Sequence, residues 1–233
     1  MLVFELPLQI CFLVPVHSCY VSGRIAHLLD AALYKGKNAE GGSLRPQDGL
    51  FRPYTFDHPY PLEGERVYRT GKVYTVRIRT ISQELAEFFA RGLPGCGSDW
   101  LQVLGAELRL IPRYVLERVH TLTPVVVKTK QGYWRDQMCV DEYEEHLKSN
   151  LIRKYNYFQQ RKLSGDFPLF KGIEFINRKP VRVAQDDISL LGDKVSLTAA
   201  GNDAAQELLY MALGTGVGEN NARGCGFLGY RFR

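Results

Sequence analysis

The C-terminal end of the chain holds its densest group of residues that could bind an anion. The segment begins Gly214-Thr-Gly-Val-Gly-Glu-Asn-Asn-Ala-Arg-Gly-Cys-Gly. Glycine leaves the backbone bare, so it can adopt positive φ and turn N–H groups towards an anion. Arg223 lies inside the segment as a partner for a phosphate or a base. The alternatives are a plain hairpin or a dinucleotide-binding turn, but the latter needs a strand before the glycines and a helix after them. Here that order is reversed.

Five histidines could carry protons near neutral pH, at positions 17, 27, 58, 120 and 146. Imidazole suits general acid–base chemistry because its pKa lies close to neutrality. His27 falls inside a predicted helix among apolar neighbours, where the alternative is a partly buried histidine without a chemical role. The acidic residues 142, 144 and 145 indicate a solvated helix face.

Hydrophobic periodicity predicts the elements that position these residues. The first half contains strands over 2–14, 50–57, 73–79 and 101–111, and helices over 18–34 and 82–91, with Ser82 as an N-cap and a loop over 35–43. The second half contains strands over 119–128, 170–176, 181–184, 194–199 and 225–232, and helices over 141–160 and 202–213.

The first half follows the order β-α-β-β-α-β, which is typical of ferredoxin-like domains, and the second half repeats it with one further strand candidate. We therefore predict an α+β fold with tandem ferredoxin-like (RRM-like) domains, residues 1–115 and 116–233. A single larger α+β domain is the alternative.

Composition, cysteine spacing and the N-terminal segment indicate the general class of protein. The 233 residues are 45% hydrophobic with a formal charge of +5, which fits a globular protein and suits a polyanionic partner. The five cysteines form no CxxC pair, which argues against a disulfide framework and an ordinary zinc site. The apolar N-terminus lacks a basic leader and a cleavage motif, so we expect a buried strand there and a cytoplasmic protein.

The glycine-rich segment also resembles a known signature. The pattern G-x-G-E-x-N-x-x-G-x-G is matched at every fixed position from Gly216 to Gly226. It is similar to the C-terminal signature of CRISPR-associated endoribonucleases, the repeat-processing branch of the RAMP superfamily. The stretch Leu122-Thr-Pro-Val-Val-Val resembles the strand that opens the second domain of that family.

The resemblance implies a metal-independent endoribonuclease that cleaves precursor CRISPR RNA within its repeats and needs no cofactor. The ribose 2′-OH attacks the adjacent phosphate and leaves a 2′,3′-cyclic phosphate and a 5′-OH. The implied partners are a repeat RNA, as a stem-loop, and other subunits of an interference complex. The alternatives are a non-catalytic crRNA-binding subunit and an unrelated ferredoxin-like domain that binds a small ligand or protein.

By resemblance, the catalytic histidine lies on the first helix or in the loop after it. That makes His27 the expected acid or base, with His17 and His58 as alternatives and His120 and His146 as structural residues. The loop after the helix offers Arg45 and no histidine, so Arg24 and Arg45 could stabilise charge instead. Tyr20 and Lys35 could orient the 2′-OH or hold the phosphate.

RNA binding is expected from two regions. The glycine-rich segment supplies Gly214, Gly216, Gly218, Asn220, Asn221, Arg223, Gly224 and Gly226, with the terminal arginines 231 and 233 nearby. The second region, at the end of the predicted helix 141–160 and just after it, supplies Arg153, Lys154, Arg161 and Lys162, interleaved with aromatic residues. Cations for phosphates and rings for stacking suit single strands and hairpin ends. An ordinary solvated helix with its aromatic residues in the core is the alternative.

Overall fold

The computed structural model describes residues 1–40, 51–130, 132–185 and 188–233. The first half contains α1 (Ser18–Glu40), α2 (Gln83–Gly92) and strands β1 (Val3–Phe12), β2 (Val16–His17), β3 (Tyr54–Phe56), β4 (Val67–Tyr68), β5 (Val73–Thr80), β6 (Gly97–Ser98), β7 (Leu101–Ala106) and β8 (Arg109–Ile111). The second half contains α3 (Val140–Gln159), α4 (Asp203–Thr215) and strands β9 (Leu116–Thr121), β10 (Phe170–Phe175), β11 (Val181–Gln185), β12 (Ile188–Gly192), β13 (Val195–Ala199) and β14 (Leu228–Phe232). Short 3-10 turns occupy Trp134–Asp136 and Asn221–Arg223.

The sheet of the first half has the antiparallel order β3-β5-β1-β7-β6, and β8 also pairs with β1. Alternation sets its buried face, since Tyr74, Val76 and Ile78 are buried while the alternating residues Val73, Thr75 and Arg77 are more exposed. Apolar residues of α1 and α2 pack on that face. Ser82 accepts a hydrogen bond from the backbone N–H of Leu85 and so caps α2, as predicted.

The sheet of the second half has the antiparallel order β10-β13-β9-β14, and α3 and α4 contribute to its core. In both halves the four main strands, taken in chain order, lie in the spatial order 2-3-1-4. That order is the ferredoxin-like one and confirms the predicted α+β fold class. The boundary between residues 115 and 116 stays a prediction.

The two halves are joined by buried contacts. Arg79 is 2% exposed, donates hydrogen bonds to Glu5 and to the carbonyl of Leu228, and lies 4.3 Å from the ring of Phe227. The hydroxyl of Tyr210 donates to the carbonyl of Ile111. These contacts hold the C-terminal segment against the first sheet.

Several elements differ from the prediction. Helix α1 continues through 35–40, which were predicted as loop, because one glycine inside a helix costs only about 1 kcal/mol. The predicted strand 101–111 is divided into β7 and β8, and β12 was not predicted. The predicted strand 119–128 ends at Thr121, because the chain beyond it leaves the sheet to pair with Asp193 and Glu219. No helix in the described part of the chain is both long and apolar enough to cross a bilayer.

Candidate active site and glycine-rich loop

The glycine-rich loop is buried rather than open. A Cβ at Gly226, where φ is +66°, would lie 1.9 Å from the carbonyl oxygen of Val217. A Cβ at Gly218 would lie 2.6 Å from a methyl group of Val125. Close packing therefore excludes side chains at these two positions.

The backbone donors of this loop are also largely used within the protein. The N–H of Gly216 donates to Ala212, that of Gly224 to Asn221 and that of Gly226 to Pro124. Gly214 lies inside α4 and is buried. This corrects the prediction that Gly214, Gly216, Gly218, Gly224 and Gly226 expose N–H groups to phosphate: the structure shows them packed inside the protein.

Lys154 was predicted to bind RNA, but in the structure its side chain is buried and forms hydrogen bonds with the glycine-rich loop. It is 3% exposed, and its ammonium donates to the carbonyls of Gly216 and Gly218 and to Oδ1 of Asn221, at 2.9, 3.0 and 2.7 Å. Three acceptors match the three donors of an ammonium group. Burial lowers the pKa of Lys154 to about 7, an effect that Glu219 opposes.

Asn221, also predicted to bind RNA, likewise holds the loop through hydrogen bonds. Its Nδ2 donates to the carbonyls of Val217 and Cys225, both at 3.0 Å. Buried side chains of Lys154 and Asn221 thus satisfy four carbonyls of the loop.

Lys154→Met should lower the free energy of unfolding by roughly 3 kcal/mol or more, because it leaves three buried acceptors without their donor. Arg153→Met is the matched control, since the neighbouring side chain is exposed and its loss should change stability by less than about 0.5 kcal/mol. Urea unfolding of both variants measures the difference. Equal stability of the two variants would contradict this role for Lys154.

Helix α1 presents three of the predicted catalytic residues on one face. Tyr20, Arg24 and His27 follow the spacing i, i+4, i+7. With Cys19 they contribute to the wall of a cavity of ≈ 260 Å³. His27 is exposed, contrary to the partly buried alternative.

Arg24 is placed to meet an anion in this cavity. Its guanidinium lies 5.2 Å from the ring centre of Trp100, which fixes the side chain. One terminal nitrogen, Nη1, is buried and has no hydrogen-bond partner within the described part of the chain. The side chain as a whole lines the cavity, so its positive charge favours an anion there.

A larger cavity of ≈ 590 Å³ adjoins the first, and both are lined by Cys19 and Ala184. His17 lines the larger one, with its Nδ1 2.8 Å from Sγ of Cys19. Arg66 and Arg182 line the same cavity. The structure therefore brings the predicted residues His17, Tyr20, Arg24 and His27 to one region of the surface.

Arg182 and Arg66 were missed by the sequence analysis. Arg182 lies on β11, which pairs with β12 and packs beside α1. The basic stretch Asn177-Arg-Lys-Pro-Val-Arg was the available signal. Nothing in the sequence indicates that Arg182 meets α1 residues more than 150 positions earlier, or that Arg66 meets the same residues about 40 to 50 positions earlier.

His58 lines the larger cavity and has an unusual titration. Burial, together with the positive charge of Lys194, lowers the pKa of His58 to about 4. His58 is therefore neutral at pH 7.

The low pKa of His58 predicts acid sensitivity. In the unfolded chain the side chain titrates near 6.5. The folded state therefore loses stability relative to the unfolded state as the pH falls from about 6.5 to about 4. We expect His58→Phe to lose less stability than wild type between pH 7 and pH 4.5, measured by denaturant unfolding. Parallel pH profiles for wild type and His58→Phe would contradict the shift.

A comparison with family models decides the family. The model for the C-terminal domain of the CRISPR-associated protein Cas6 matches residues 112–230, more than half of the chain. The chain belongs to the Cas6 family. A comparison with curated protein sequences found no significant match.

Solved Cas6 structures share the fold over nearly the whole chain. A CRISPR-associated Cas6 protein superposes with a TM-score of 0.70 at 20% identity, covering 98% of this chain and 99% of the other. A RAMP protein described as binding different RNA substrates gives 0.73 at 16% identity, with coverages of 99% and 100%. The product complex of Thermus thermophilus Cas6 gives 0.61 at 18% identity, also with 99% and 100%.

The remaining predicted residues lie apart from the α1 cavities of this Cas6-family chain. Lys35 is exposed and lies eight residues beyond His27, roughly 12 Å along the helix. Arg153, Arg161 and Lys162 are exposed, on α3 and after it, and Arg45 lies outside the described residues.

Two predicted contacts with phosphates are ion pairs within the protein. Arg223 contacts Asp30 of α1 at 3.0 Å, so it joins the glycine-rich loop to α1. Arg231 forms two hydrogen bonds with Glu117. Within the described ranges, no three His, Cys, Asp or Glu side chains are grouped to hold a metal ion.

Proposed function

We propose that this Cas6-family protein is a metal-independent endoribonuclease that binds CRISPR repeat RNA and cleaves precursor CRISPR RNA within the repeat. The products are a 2′,3′-cyclic phosphate and a 5′-OH. The observation that carries the proposal is the cavity on α1, where an exposed histidine, an arginine and a tyrosine share one helix face in a chain of this family.

Each of these residues suits one requirement of the reaction. His27 transfers the proton as general base or acid, because it is exposed and an imidazole can both accept and donate a proton. Arg24 stabilises the charge that develops on the phosphorane. Tyr20 orients the attacking 2′-OH, and His17 in the adjoining cavity supplies the alternative proton carrier.

The basic wall of the larger cavity supports binding of the RNA backbone. Arg66 and Arg182 line it beside His17, and Arg24 lies in the adjoining cavity. The similar RAMP protein that is described as binding different RNA substrates supports an RNA ligand for this fold. The product stays bound and joins an interference complex with other CRISPR subunits.

RNA affinity should fall steeply with salt, because each neutralised phosphate of a single strand contributes about 0.7 to the slope of log K against log salt. Arg182→Ala should make that slope shallower by about 0.7, the contribution of one phosphate. Arg91→Ala is the control, since Arg91 is a highly exposed residue on α2. Titrations of repeat RNA at several salt concentrations give the slopes. Equal slopes for wild type and Arg182→Ala would show that Arg182 does not contact an RNA phosphate.

The test of the proposed function is incubation of the protein with end-labelled repeat RNA in EDTA. We expect one cut within the repeat, a cyclic phosphate on the 5′ product and a 5′-OH on the 3′ product. Tight binding without a cut would instead support a non-catalytic crRNA-binding subunit. Absence of binding would overturn the RNA assignment.

A further inference from the structure

The imidazole of His17 is held at one nitrogen by the first turn of α1. Its Nδ1 accepts a hydrogen bond from the backbone N–H of Cys19 at 3.3 Å. The sulfur of the Cys19 thiol lies 2.8 Å from the same nitrogen. Both contacts are made at Nδ1, so this side of the ring is turned towards the start of α1.

The backbone beside this ring and the ring itself have further contacts. His17 ends β2, which pairs with β4, and lies opposite Val67. The N–H of Ser18 donates to the carbonyl of Arg66 at 2.8 Å. The ring of Tyr20 meets that of His17 edge to face, with centres 6.3 Å apart. The side chain of His17 is therefore held in one orientation although it is exposed.

The contacts at Nδ1 determine which ring nitrogen carries the proton. A backbone N–H can only donate, so Nδ1 presents its lone pair to Cys19. In a neutral imidazole one nitrogen is a donor and the other is an acceptor. Because Nδ1 is the acceptor, the proton of neutral His17 is on Nε2. A ring in this state donates a hydrogen bond through Nε2, but it has no free lone pair with which to remove a proton from a 2′-OH.

The cavity beside this ring suits an anion. His17 lines the cavity of ≈ 590 Å³ together with Arg66 and Arg182. Since Nδ1 is turned towards α1, Nε2 is the ring nitrogen that remains for a ligand in that cavity. The carboxylate of Glu63 also lines the cavity, but it is paired with Lys72 at 2.7 Å. An N–H donor beside two guanidinium groups matches the oxygens of a phosphate.

We propose that His17 is a fixed hydrogen-bond donor to the reacting phosphate and not a base. Its Nε2–H stabilises the negative charge that develops on a phosphate oxygen in the transition state, and the proton stays on the ring. Cys19 is the positioning residue, because its backbone N–H holds Nδ1 as the acceptor. The role of base then falls to His27 in the adjoining cavity. The inference rests on the proposed function, because it takes RNA cleavage as the reaction.

The first test locates the proton on the ring without any RNA. NMR spectra of protein labelled with ¹⁵N-histidine distinguish a protonated ring nitrogen from an unprotonated one, and the spectrum of His17→Gln assigns the signals. At about pH 8, where histidine side chains are ordinarily neutral, we expect only the state with the proton on Nε2. Cys19→Ala should keep this state, because the backbone N–H remains. A proton on Nδ1, or the tautomer mixture that the unfolded protein shows, would overturn the inference.

The second test separates a donor from a base. Glutamine keeps an N–H donor near the position of Nε2 but cannot accept a proton from a 2′-OH. His17→Ala should lower the single-turnover cleavage rate by about 10²- to 10³-fold, and His17→Gln should recover at least about ten-fold of that loss. His27→Gln should stay as slow as His27→Ala, because an amide cannot replace a base. Thermal unfolding of each variant checks that it is folded.

The outcomes separate this inference from the proposed function. Equal rates for His17→Gln and His17→Ala would show that the donor is not what the reaction needs from His17. If wild type cuts repeat RNA and these two variants are equal, only this inference fails. If wild type cuts no repeat RNA, the proposed function fails, and the NMR spectra then test the state of the His17 ring alone.

Discussion

Replacing His27 with alanine should lower the single-turnover rate of repeat RNA cleavage by about 10²- to 10⁴-fold. In the proposed reaction the exposed imidazole carries the proton in the α1 cavity, and alanine cannot transfer one. Affinity for RNA should change little, because Arg24, Arg66 and Arg182 remain. Stability should change by less than about 0.5 kcal/mol, because the side chain is exposed.

Three controls distinguish the chemistry from other causes. Added imidazole should restore part of the rate in His27→Ala and none in Arg24→Ala. His17→Ala tests the alternative proton carrier in the adjoining cavity. Cleavage that survives His27→Ala but is lost in Arg24→Ala would contradict the histidine role and assign the chemistry to arginine.

Replacing Gly226 with alanine should destabilise the protein by roughly 4 kcal/mol or more, at the severe end for one substitution. The new Cβ would lie 1.9 Å from a backbone carbonyl, and the backbone has φ +66°. The loop would have to move, and with it the contacts of Lys154 and Asn221 that hold it. Cleavage should also fall, because Arg223 and Gly224 join this loop to α1.

Gly95→Ala is the matched control for this experiment. Gly95 has φ +80° but no atom within 4 Å of its Cβ position, so only the backbone strain remains. That strain costs about 1 kcal/mol. Denaturant unfolding of both variants separates strain from collision. Similar losses in the two variants would contradict the packing account of the glycine-rich loop.

The fold was predictable because periodicity is a local property of the sequence. Alternation in β5 and the capping of α2 by Ser82 identify those elements without knowledge of the rest of the chain. The departure of the chain from the sheet after Thr121 was not predictable. It depends on pairing with Asp193 and Glu219, which lie far along the sequence.

The glycine-rich signature indicated the family, but its physical role differed from the prediction. Spacing alone cannot separate glycines that face a ligand from glycines that allow close packing. The same holds for Lys154, whose partners lie more than sixty residues later. Its neighbour Arg153 is also a basic residue, but the side chain of Arg153 is exposed to solvent, whereas that of Lys154 is buried.

Among the predicted catalytic residues, Tyr20, Arg24 and His27 lie within the predicted helix over 18–34, and helix geometry places them on one face. It could not predict that β11 would bring Arg182 beside that face. Long-range placement of this kind comes from tertiary packing, in which α1 of the first half lies against β11 of the second. Residues of both halves therefore line the larger cavity.

The most direct test of the proposed chemistry compares repeat RNA with the same RNA carrying one 2′-deoxyribose at the nucleotide before the cut. The 2′-OH is the nucleophile in the proposed reaction, so the deoxy substrate should bind with near-normal affinity and remain uncut under single-turnover conditions in EDTA. The unmodified RNA should be cut once and leave a cyclic phosphate. Cleavage of the deoxy substrate at the same bond would contradict the proposed mechanism.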